Sequence, residues 1–139
     1  MPAYWLVKSE PDEFSWQQLN IDKKTDWTGV RNYGARNNLR EMRKGDLAFF
    51  YHSNKGQEIV GIAKVAREHF QDPTTDEPAW LAVTFAPVKA LRTPITLKTL
   101  KTLPEFADMD LVRRGRLSVG KVTATEFTRI CEMGGITPG

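Results

Sequence analysis

The chain has 139 residues, 40% hydrophobic and 27% charged, with a net charge of +3. That size predicts one domain over residues 1–139, able to bury roughly two-thirds of the surface its unfolded form exposes, and no apolar run approaches the ~18 residues a membrane span requires. One cysteine, Cys131, excludes an internal disulfide, and His52 and His69 alone give no zinc spacing, so no metal and no cofactor are expected.

The opening MPAYWLVKSE lacks the basic start and apolar stretch of a secretory signal, so a cytoplasmic protein whose mature form begins here is expected. Tyr4 to Lys8 reads as a buried strand ended by the turn signal Glu10-Pro11-Asp12. Ser15 with Gln18 three residues later predicts a capped short helix that turns Trp16 and Leu19 inward. After Lys23-Lys24-Thr25 comes a loop around Trp27, then a helix from Gly34 to Arg43. On that helix Ala35, Leu39 and Met42 share one stripe, and Arg36, Arg40 and Arg43 share another about a quarter turn away.

Lys44-Gly45-Asp46 predicts a tight turn into LAFFYHS, apolar on both alternating faces and so suited to the middle of a sheet or barrel. EIVGIAKVA, with a bulge or bend at Gly61, pairs with it as a hairpin. Gln71 to Pro78 is a polar turn region, and WLAVTFAPVKAL supplies a further strand that Pro87 makes an edge or a bend. Thr96 to Phe106 predicts a short helix with Leu97 and Leu100 inward, Arg116 to Val119 a last short strand, and Thr123 with Glu126 a second capping box that opens a terminal helix. The sum is an α+β fold, a small curved mixed sheet or barrel of about five strands covered by short helices.

Asp26 to Arg40, DWTGVRNYGARNNLR, holds two aromatics, three arginines and three asparagines around two glycines. Aromatic rings stack on a planar ligand, asparagine reads donor and acceptor edges, and the arginine fork grips phosphate or carboxylate. A nucleobase on a charged backbone fits this mixture. Trp27 lies in a polar, turn-prone setting that suits a pocket wall, although anchoring the loop to the sheet would also account for it. Arg31, Asn32 and Tyr33 stand at the mouth of the helix, where Asn32 could equally be its cap. Arg36 and Asn37 follow one turn in, and Arg36 could instead pair with an acid such as Glu10. Tyr51, His52 and Ser53 end the central strand, where barrel mouths hold sites; His52 suits a polar contact to a base better than catalysis. Arg113, Arg114 and Arg116 form a second basic cluster, while His69 and Cys131 read as structural.

YWLVKSEPDEFSW, the VRNYGARN block after Trp27, GDLAFFYHS, VGIA and LVRRGRLSV together resemble the EVE domain of the PUA-like superfamily, in order from Tyr4 to about Met133. The resemblance implies a PUA-like pseudo-barrel with a pocket for a modified base in DNA, such as a methylated or oxidised cytosine. It also implies a relation to YTH readers of methylated adenine in RNA, which close a cage of aromatic side chains on the base. Lys8 and Ser9 match the end of the pocket-lining first strand, Trp27 matches the first cage tryptophan, and Arg116 opens the RLSV motif. The second cage tryptophan has no secure counterpart, because the loop before Trp80 is short.

The expectation is a non-catalytic reader of a modified base, modified cytosine in DNA favoured over RNA, extruded beside Trp27. Lys8, Ser9, Asn32 and His52 would meet its edges, and Arg31, Arg36 and Arg116 its phosphates. The alternatives are a small hydrolase or amidase acting on a modified nucleoside, with Lys8 near Glu10, and a domain that binds a small anion or metabolite. No membrane partner is expected.

Overall fold

A computed structural model describes residues 3–137. Its strands are β1 (Tyr4–Ser9), β2 (Thr25–Trp27), β3 (Leu47–His52), β4 (Glu58–Gln71), β5 (Leu81–Thr96) and β6 (Val119–Val122). The helices are α1 (Trp16–Asp22), α2 (Tyr33–Glu41), α3 (Leu97–Lys101), α4 (Asp110–Arg113) and α5 (Ala124–Met133), with a 3-10 turn at Pro104–Phe106. The strands form one mixed sheet of order β2-β5-β4-β3-β1-β6, in which β1 and β3 run parallel and every other neighbouring pair is antiparallel. The sheet does not close into a barrel.

Strict alternation along the central strands divides the interior in two. Leu6, Phe49, Tyr51 and Ile62 face one core, sealed by Leu100, Phe106, Leu111 and Phe127 from the C-terminal helices. Trp5, Val7, Ala48 and Phe50 face the other, sealed by Leu19 of α1 and by Ala35, Leu39 and Met42. The stripe read on the helix is therefore buried, all three side chains fully so, although α2 spans Tyr33–Glu41 rather than 34–43 and Met42 is its C-cap. Polar anchors fix the frame. Asp46, itself buried, accepts from the Trp5 indole (3.0 Å) and from the backbone amides of Arg43 (2.9 Å) and Ala3 (3.1 Å). Asn38 donates from α2 to the Val119 carbonyl (2.7 Å), which ties the helix to β6.

The caps form where expected: Ser15 accepts from the Gln18 amide, and Thr123 with Glu126 makes a full reciprocal box. Gly61 sits at a bulge, because β3 and β4 shift register between Phe50 and Tyr51, and the Trp16 ring packs directly on its bare α-carbon.

Three expectations are corrected. The sheet has six strands rather than about five, because Thr25–Trp27 pairs antiparallel with β5 instead of remaining a loop. The last strand begins at Val119, not Arg116, leaving 116–118 as an open approach. The helix expected over 96–106 stops at Lys101 and resumes only as a 3-10 turn, since Pro104 lacks an amide and disfavours helical geometry just before it. Pro87 falls where it was expected, on the edge half of β5: β2 pairs only as far as Phe85, so on that side no partner needs its missing donor.

Candidate functional site

The two edges of the sheet flank a hollow of about 470 Å³, within the roughly 300–1,000 Å³ of ligand sites. One wall is β2 with Trp27. The facing wall is the end of β1, with Lys8 and Ser9, and the open approach to β6, with Arg116 and Ser118. Ser53, just past β3, adds to the floor because its amide donates to the Ser9 carbonyl (2.9 Å), continuing the parallel pairing of β1 and β3. Of the residues expected to bind ligand, the fold thus brings Lys8, Ser9, Trp27, Ser53 and Arg116 around one space.

Trp27 is half-buried and rigidly set. Its ring stands edge-on to Phe50 (5.6 Å, 89°), Phe85 (5.5 Å, 90°) and Phe14 (6.4 Å, 86°). Aromatic pairs of this kind contribute ~0.5–1.5 kcal/mol each beyond their buried area, so the indole is held as a plate with one side on the core and another on the hollow. Lys8 donates from Nζ to the Gly115 carbonyl (2.8 Å) and stands 5.9 Å from the Tyr51 ring centre. Burial lowers its amine below the ordinary lysine value. Ser9 donates from Oγ to the Phe14 carbonyl (2.6 Å), which pins the loop that carries Phe14.

Tyr51 and His52 are adjacent but do not line the hollow. Tyr51 belongs to the other core, where burial raises its phenol pKa. His52 Nε2 accepts from the Trp16 amide (3.1 Å), so its imidazole satisfies a free donor in the first turn of α1. Burial lowers its pKa, partly offset by Glu58, consistent with the neutral ring that this contact requires.

The residues at the mouth of α2 form a separate group. Asn32 is the N-cap, accepting from the Ala35 amide (2.9 Å). Arg31 donates to Asp72 (2.9 Å) and to Thr74 (3.1 Å). Arg36 donates to the Ala79 carbonyl (2.8 Å) and to Asn37 (3.0 Å), not to Glu10. Tyr33 is exposed and leans on Trp80. Asp72 anchors this region: burial alone would raise its pKa, but hydrogen bonds from Thr74, Gly29 and Arg31 outweigh burial and hold it at about 2. Gly29 takes a left-handed φ of +80° to present its amide to that carboxylate. Arg113 and Arg114 are exposed, and Cys131 is buried with its thiol pushed up to about 11.

Sequence reasoning missed Phe14, a second aromatic on the hollow, and two acids there, Glu13 and Asp26, which join the Glu10 already set near Lys8 in the hydrolase alternative. An aromatic inside the turn-rich EPDEFSW connector, rather than in a strand, was the available signal for Phe14. The hollow is therefore of mixed charge, with Lys8 and Arg116 against three carboxylates. Asp26 is fixed by the Thr84 hydroxyl, which donates to it at 2.7 Å.

The EVE domain family matches residues 3–133. The chain belongs to this family. This EVE domain is 37% identical to mouse thymocyte nuclear protein 1 over 164 aligned residues, covering 94% of the chain and 73% of that protein. It is similar to the crystal structure of human THYN1 protein in complex with 5-methylcytosine containing DNA, with a TM-score of 0.88 at 32% identity over 98% of this chain and 99% of that one. A YTH domain, that of the Zygosaccharomyces rouxii MRB1 protein in complex with N6-methyladenosine RNA, shares the fold at 13% identity, with a TM-score of 0.58 over 96% of this chain and 86% of that one. The EVE domain thus keeps the likeness to YTH domains that its sequence implies.

Proposed function

We propose that this EVE domain is a non-catalytic reader of modified cytosine in nucleic acid, DNA in preference to RNA, and that it takes the extruded base into the hollow beside Trp27. The observation that carries this reading is the rigid Trp27 plate bordering an open space between the sheet edges. The human relative with 5-methylcytosine DNA supports the choice of base and of nucleic acid.

The chemistry of the walls fits. Extruding a base costs a few kcal/mol, and stacking on an aromatic plate returns ~1–3 kcal/mol. Carboxylates accept from the exocyclic amine of cytosine and repel the O4 acceptor of thymine or uracil, so Glu10, Glu13 and Asp26 favour cytosine. Phe14 offers an apolar surface to a 5-methyl group. Arg116 at the mouth takes the phosphate, and the Ser9 and Ser53 hydroxyls lie within the same space.

A panel of oligonucleotides carrying 5-methylcytosine, cytosine, thymine or N6-methyladenine, as DNA and as RNA, tests the reading. The 5-methylcytosine DNA should bind tightest, and every strand should weaken as salt rises, because phosphate contacts release counterions. Equal affinity across all bases, or none for any strand, would overturn it.

A further inference from the structure

Away from the hollow, one part of the surface combines an exposed aromatic ring with fixed guanidinium groups. Tyr33, the first residue of α2, is 62% exposed. Its ring lies 4.9 Å from that of Trp80, tilted by 32°. The Arg36 guanidinium stands 5.2 Å from the Tyr33 ring centre, and that of Arg31 stands 5.6 Å from Trp80. The four side chains make a ladder, Arg36–Tyr33–Trp80–Arg31, in which each rung touches the next.

The rungs are held from behind. Trp80 is buried and donates from its indole to Glu77 (3.0 Å). Arg36 is anchored through Nε and Nη1, while its Nη2 makes no hydrogen bond among the described residues. The Tyr33 ring is thus set between Trp80 and Arg36 and still mostly open. An aromatic that needs little ordering loses little entropy on binding, and a guanidinium beside it suits the phosphate that every stacked base brings along. The chain links the ladder to the walls of the hollow. Arg31 follows the Trp27 strand across Gly29, and a side chain added at Gly34 would come within 3.5 Å of Leu117, the neighbour of Arg116.

We infer that this ladder is a second nucleic-acid subsite, a shelf on which Tyr33 stacks the base next to the extruded one on the same strand while Arg36 holds its phosphate. This rests on the base-reading role of the hollow. A neighbour stacked on Tyr33 is itself unpaired, so the protein should prefer single-stranded or locally opened DNA to intact duplex.

The test uses the full chain and single-stranded DNA with one 5-methylcytosine or one cytosine, and with an abasic residue placed in turn on either side of it. Tyr33→Ala should weaken binding to the methylated and plain strands by the same factor, about 5- to 150-fold for one lost stack. Tyr33→Phe, which keeps the ring on Trp80, should bind as wild type. An abasic residue on one side should weaken wild type yet add nothing in Tyr33→Ala. Unchanged affinity in Tyr33→Ala, or an abasic penalty equal in both proteins, overturns the shelf. If wild type still prefers the methylated strand, the shelf fails alone; if wild type shows no such preference, the reading of the hollow fails and the shelf falls with it.

Discussion

Arg31 and Asp72 are locked together, with Nη1 of the guanidinium 2.9 Å from Oδ2 of a carboxylate that is wholly buried. The same oxygen accepts from the Gly29 amide (2.8 Å), two residues past Trp27, so one carboxylate positions both the aromatic ladder and the wall of the hollow. The charge of Arg31 is already met within the protein. Fewer free cations line this face than the sequence suggests.

Replacing Asp72 by Ala strands the Gly29 and Thr74 donors and releases Arg31. The expected cost is about 2–4 kcal/mol in urea unfolding, a little under the ~3–5 kcal/mol for a fully buried pair because Arg31 is partly exposed. Its pKa of about 2 lies below the ordinary 3.8, so as pH falls the unfolded chain takes up the proton first. The contribution is complete above about pH 4 and is lost as pH falls toward 2. Wild-type stability should drop through that window, and Asp72→Asn should flatten the drop. A variant as steep as wild type would remove Asp72 from the explanation.

His52 gives the opposite charge type. Its folded pKa is lowered from 6.5, chiefly by burial, so the unfolded chain binds the extra proton more readily and stability declines as pH falls below about 6.5. Protonation also abolishes the acceptor that the Trp16 amide uses. An NMR titration should find His52 with a midpoint below 6.5, and loss of the Trp16 amide contact as it charges; a midpoint at or above 6.5 contradicts this.

Gly61→Ala drives a methyl group into the Trp16 ring. Overpacking of this kind costs ~1–3 kcal/mol, and Trp16→Leu in the same chain should recover part of it by making room. Thermal unfolding of the single and double variants measures both effects.

Arg116 stands at the mouth of the hollow with its guanidinium exposed. Arg116→Ala should weaken methylated and plain DNA alike and reduce the slope of log affinity against log salt by about one unit. A change confined to the methylated strand would mean that Arg116 reads the base instead.

Much of the fold can be read from local pattern. Leu47–His52, apolar on both faces, is a central strand between two cores, and the stripe of Ala35 and Leu39 on α2 with Met42 at its C-cap is buried. The elements that escaped are defined by distant partners. Thr25–Trp27 is too short and polar to look like a strand and becomes one only against Val83–Phe85. The site divides in the same way. Lys8, Ser9 and Ser53 meet because β1 and β3 run in parallel, a consequence of two apolar strands that the sequence shows plainly. The partner of Arg31 lies 41 residues away in a polar loop, and nothing local marks it.

In the reading proposed above, the Trp27 plate holds the extruded base where Phe14 meets its 5-methyl group, so the modified base is distinguished only while that plate is present. The direct measurement is the affinity of wild type and Trp27→Ala for a DNA strand with a single 5-methylcytosine and for the same strand with cytosine, alongside the thermal stability of both proteins. Wild type should prefer the methylated strand, and the folded variant should lose about 1–3 kcal/mol of binding together with that preference. A folded Trp27→Ala protein that still prefers the methylated strand as strongly as wild type would contradict the account.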